Sequence, residues 1–113
     1  MFTFVSILLA ALCLVPAAAK LSAQPAMQAS AAHVGIDWPR YRLIGVAELA
    51  AAAGILAGLV WQPLGIAAAA GMAVLLVGAL VMHRRAGDSA KDMAPALVVL
   101  LVTIVYLAVA LAG

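Results

Sequence analysis

Between Trp38 and Trp61 the chain reads WPRYRLIGVAELAAAAGILAGLVW, long enough as a helix to cross a bilayer, with one carboxylate, Glu48, set inside the apolar run. No other feature restricts the fold as strongly. A charge at membrane depth costs several kcal/mol unless it is paired or hydrated, so such a residue faces a bundle interior or a cavity. Three more apolar runs accompany this one, Phe2–Ala19, Leu64–Met82 and Ala94–Ala112. A soluble chain of 113 residues, 69% hydrophobic and 9% charged, could not cover that much apolar surface. The sequence therefore predicts an all-α, polytopic membrane four-helix bundle in one domain, 1–113, with spans at about 2–20, 41–60, 64–83 and 94–112 and the lipid bilayer as its main partner.

The connections fill in the outline. Ala17-Ala18-Ala19 resembles a signal-peptide cleavage site, but no Lys or Arg precedes the apolar core, and the first run is read as a retained span with Pro16 loosening its last turn. Pro25 to Val34 predicts a short interfacial helix, begun by proline and ended by Gly35, with Met27, Ala31 and Val34 on one face. Ala47, Ala51, Gly54 and Gly58 form a small-residue seam that lets another helix approach closely, and Glu48 flanks it about 100° round the helix. Trp61-Gln62-Pro63 is short enough to make the second and third spans a tight hairpin. Ser89 or Asp92 caps the fourth helix, with Pro95 suited to its first turn.

Charge gives orientation. A net charge of +2 does not point to nucleic acid in a chain this apolar. Lys20, Arg40, Arg42, Arg84, Arg85 and Lys91 all fall at the connections between spans one and two and between spans three and four. The positive-inside rule puts residues 21–40 and 84–93 in the cytoplasm and both termini outside. The lone Cys13 excludes an intrachain disulfide and a CxxC redox pair, and the spacing of the histidines gives no metal site.

Depth arithmetic brings the candidate site together. Glu48 lies eight residues past Arg40, about 12 Å along the axis, while Lys20 and His83 end spans one and three on the same side. A lysine stem reaches several ångströms along a helix, so Lys20 can meet Glu48, with Arg42, His83 and Tyr106 as competitors for that carboxylate. His33 reads as a solvated interfacial residue. The cluster has two readings, a packing device that locks helices together and a proton-handling or ligand-binding carboxylate beside a cavity.

Ala18-Ala19-Lys20-Leu21, the segment ending His33-Val34-Gly35-Ile36, then Ile44-Gly45-Val46-Ala47-Glu48-Leu49 and Val77 to Asp88 together resemble the DoxX-like family of small four-span bacterial membrane proteins. Lys20, Glu48 and His83 match its recurrent polar positions. The resemblance implies an accessory or anchoring membrane subunit linked to quinone or thiol and oxidative-stress redox chemistry, partnered by an oxidoreductase and not an enzyme by itself. Lacking paired cysteines, the chain would not perform thiol redox chemistry alone. Two alternatives stand beside this: a quinone- or lipid-binding module, and a small proton-coupled transporter, oligomeric through its glycine seam, with Glu48 as the coupling carboxylate.

Overall fold

The computed structural model describes residues 1–112, and these form five α-helices with no strand among them. The first, α1 (Phe2–Leu21), runs unbroken through Pro16 and the alanine triad, and Ala17, Ala19 and Lys20 are buried. Its end is closed by Ser22, whose N–H and hydroxyl both donate to the Ala18 carbonyl. Then α2 (Pro25–Val34) starts on its proline and stops at Gly35, whose φ of 77° only glycine adopts without strain. The N–H groups of Gly35 and Ile36 turn back to the carbonyls of Ala32 and Ala31, the paired bonds of a Schellman end.

The Glu48 segment is α3 (Trp38–Ala57), which opens three residues earlier than the expected span and ends three residues sooner, Leu59 and Val60 going into the turn. Only Gly58 to Trp61 separates it from α4 (Gln62–Arg85). The last helix, α5 (Ala90–Ala112), corrects the expected start near residue 94. Ser89 precedes the helix and its N–H and hydroxyl both reach the Asp92 carboxylate, so a local cap nucleates the helix ahead of Pro95. Pro95 consequently sits inside the helix, where its missing N–H leaves the Lys91 carbonyl without its usual partner.

The four long helices form a closed ring in the order α1, α3, α4, α5, with α5 returning against α1 and, among the described residues, no close backbone approach across either diagonal. α2 lies over one end, touching α1, α3 and α4. Leu9, Cys13, Ile55, Ala69, Met72 and Tyr106 make the centre of the core. The outside is equally apolar. Phe4, Val15, Val60, Val74, Leu101 and Leu111 are all more than half exposed, the pattern of a surface solvated by lipid.

α1, α4 and α5 are each long and apolar enough to cross a membrane. α3 is not, by length and composition alone: every eighteen-residue stretch of it contains Arg40, Arg42 and Glu48. Its place in the ring between α1 and α4 is therefore owed to its neighbours.

Candidate functional site

Lys20 and Glu48 are brought together by helix approach. Gly45 faces the root of Lys20 so closely that a Cβ at residue 45 would lie 2.8 Å from the Lys20 Cβ, and the missing side chain lets α1 and α3 pack nearly backbone to backbone. One turn further along α3, Glu48 meets the end of the lysine, with Nζ 2.8 Å from Oε1. Both side chains are buried, at 9% and 7% exposure. The pair has the distance of a charge-assisted hydrogen bond but not its angles, so Oε1 is compensated by charge and has no directed donor. Nζ also stands 5.1 Å above the centre of the Tyr41 ring, a cation–π contact.

The pair forms part of the wall of a pocket of about 530 Å³. Its other walls are mostly apolar, chiefly Ile44 of α3, Leu75, Ala79 and Met82 of α4, and Val34 and Ile36 from the end of α2. A second, more open groove of about 340 Å³ adjoins it between α3 and α4, and Met72 and Leu75 line both.

The remaining candidates are distributed differently from the expectation that several would compete for Glu48. Arg42 turns away from it, and its Nη2 donates to the Leu21 carbonyl at 2.7 Å, tying α3 to the end of α1. His83 borders the pocket, but its Nδ1 bonds Asp88 Oδ2 at 2.6 Å. His33, half exposed, bonds the other oxygen of the same carboxylate, Nε2 to Oδ1 at 2.6 Å. An ionised carboxylate only accepts, so each ring donates its N–H. Tyr106 belongs to the opposite end of the bundle, where its ring stacks 5.4 Å from Phe2 and its hydroxyl is wedged against Gly58 and Gly65.

Asp88, which the residue pattern did not single out, is thus the centre of a joint. Gly87, at φ 81°, ends α4 with its own N–H on the Arg84 carbonyl and that of Asp88 on the His83 carbonyl, and this fold-back sets the carboxylate beside the imidazole five residues earlier. The readable signal was a glycine followed by an acid just past a histidine at a helix end. The joint fastens α2 across the bundle end to the α4–α5 turn, so the two connections bearing the cations lie together. Hydrogen bonds from His83 and then His33 hold the Asp88 carboxyl below the usual carboxylate range. Among the described residues no group of histidine, cysteine and carboxylate side chains is placed to hold a metal ion.

A helical bundle with a lipid-facing exterior and a buried ion pair opening onto an apolar pocket defines a small integral membrane protein. Within that class the chain belongs to the DoxX-like family, whose family model matches residues 4–106. No curated protein and no solved structure matches it.

Proposed function

We propose that this chain is a multi-pass protein of the bacterial cytoplasmic membrane, with α3 as a fourth span, that serves quinone-linked redox chemistry as an accessory subunit by holding a quinone-type ring beside Lys20 and Glu48. The clustering of cations at one end supports an orientation with residues 21–40 and 84–93 in the cytoplasm and both termini outside. The observation that carries the binding reading is that Lys20 and Glu48, largely buried, both line an apolar cavity, whereas a pair that served packing alone would have no cavity beside it.

The residues suit such a ring. The Lys20 ammonium has three N–H donors and is held near Glu48 by charge, so one of them can be given to a carbonyl oxygen of the oxidised ring. The Glu48 carboxylate, acceptor only, can take the hydroxyl hydrogen of the reduced form. Apolar walls from Ile44, Leu75 and Met82 would flank the ring beside both contacts. The chain would bind and orient the ring and offer it to a partner oxidoreductase docked at the cytoplasmic connections, where thiol or oxidative-stress relays could also draw on it.

The test is to purify the chain with native lipid and measure quinone per chain by mass spectrometry. Quinone enriched over the bulk lipid ratio in wild type, and lost in the Lys20→Met/Glu48→Met double variant, which strands no charge, is the expected result. Quinone at the bulk ratio in wild type overturns the reading. Cysteines placed at Ser89 and Gln62 in a Cys13→Ser background test the orientation, the former labelling only from the cytoplasmic side and the latter only from outside.

A further inference from the structure

The groove between α3 and α4 has no part in binding a ring, and its lining is unusual. Ala47, Ala50, Ala51, Ala67, Ala68 and Gly71 leave it open along about 12 Å of α4 between residues 67 and 75, at 1.5 Å per residue. Small residues are ordinarily found where helices touch, and they do so here further along, where a Cβ on Gly54 would lie 2.7 Å from the Ala68 Cβ and one on Gly58 2.7 Å from the Gly65 Cα. Gly71 and Gly78 are different. A Cβ at either would meet nothing within 4 Å, so their smallness keeps space open instead of closing a contact.

We infer that this groove is the berth for the hydrocarbon tail of an amphiphile whose uncharged, hydrogen-bonding ring sits at Lys20 and Glu48. The inference rests on the head-group reading of the pocket and adds the class of ligand, a ring bearing a long chain. Three observations lead to it. The groove and the pocket adjoin each other, with Met72 and Leu75 as walls common to both. Polarity runs in the right order, with the ion pair near the end that carries the cations and the groove leading from it toward the middle of α3 and α4, which is how an amphiphile lies in one leaflet. Glu48, with its side chain 7% exposed, lines the pocket where a head group would stand.

The same carboxylate selects against phospholipid. A phosphate brought to the Lys20 ammonium would be set against Glu48, only 2.8 Å from that nitrogen, and would leave a net negative charge in an apolar pocket. An uncharged ring leaves the pair neutral.

The experiment uses the full chain in nanodiscs, with tetramethylbenzoquinone and the same ring carrying a decyl chain as probes, affinities being corrected for membrane partition. Gly71→Leu and Ala67→Leu fill the groove from exposed positions without disturbing packing, and Ala70→Leu, exposed but outside the groove, is the control. The decyl ring should bind the groove-filled variants about tenfold more weakly than wild type, the scale of one or two lost methylene contacts, with the control unaffected. The bare ring should bind all four proteins alike. If the bare ring binds and the advantage of the decyl chain survives both groove substitutions, the tail berth is overturned while the head-group reading stands. If neither ring binds and the groove substitutions change only the phospholipid that co-purifies, bulk acyl chains occupy the groove and both readings fall.

Discussion

Removing one member of the Lys20–Glu48 pair should harm the fold more than removing both. At 2.8 Å, with an effective dielectric of about 20, the attraction is about 6 kcal/mol, and it offsets most of the cost of taking two charges out of water. Glu48→Gln keeps shape and volume but strands a lysine that is 91% buried, and Lys20→Met strands the carboxylate. Each should cost about 3–5 kcal/mol, whereas the Lys20→Met/Glu48→Met double variant, which buries two flexible apolar chains, should stand within about 1 kcal/mol of wild type. The assay is reversible denaturant unfolding in detergent micelles followed by helical circular dichroism, arranged as a double-mutant cycle. Additive losses, or single variants costing under about 1 kcal/mol, would show that water reaches the pair freely and would refute the buried coupling.

Gly45→Val should lower the thermal midpoint, since the added Cβ collides with the Lys20 stem and pushes α1 from α3 at a cost of about 1–3 kcal/mol; a midpoint equal to wild type would mean that the approach is not tight. Gly87→Ala should cost about 1–2 kcal/mol through its left-handed backbone, and an unchanged unfolding curve would count against the fold-back at Asp88. The His33–Asp88–His83 joint should respond to acid in a defined direction. Because the folded Asp88 carboxyl is depressed, its contribution is complete above the ordinary aspartate value of about 3.9 and is lost as pH falls through the lower folded value. Amide exchange in α2 should therefore accelerate in that window, and Asp88→Asn should give the fast exchange already at neutral pH; identical protection in the two proteins at neutral pH would contradict the joint.

What could be read from the residues followed from periodicity and depth. The interfacial segment was bounded by Pro25 and Gly35, both of which act locally, and α2 has those ends. Counting along helices put Lys20 and Glu48 in the same half of the bundle, within reach of the lysine stem, and the two meet at 2.8 Å. The seam at Gly54 and Gly58 meets α4, while Glu48, a third of a turn away, meets α1. Tyr106 was misplaced as a competitor for Glu48, because its position along α5 says nothing of which end of a neighbouring helix it reaches. Asp88 escaped notice because a polar turn gives no periodic signal, and its partners, five and fifty-five residues away, come together only once two glycine-ended helices fold back. The start of α5 was misjudged for a similar reason, the Ser89–Asp92 cap outweighing the preference of proline for a first turn.

The composition of α3 bears on how the chain is made. A lone lysine or acid at the centre of a helix costs about 2.5–3.5 kcal/mol when that helix enters the bilayer from the translocon, and α3 brings Glu48 as well as two arginines near its start. If α3 is a fourth span, synthesis delivers α1 and its Lys20 ahead of the acidic helix, and α4, which follows, supplies the apolar wall beside the pair. Biogenesis thus has a direction written into it: exchanging Lys20 and Glu48 would preserve the final contact but send the acid in first, to wait for its cation.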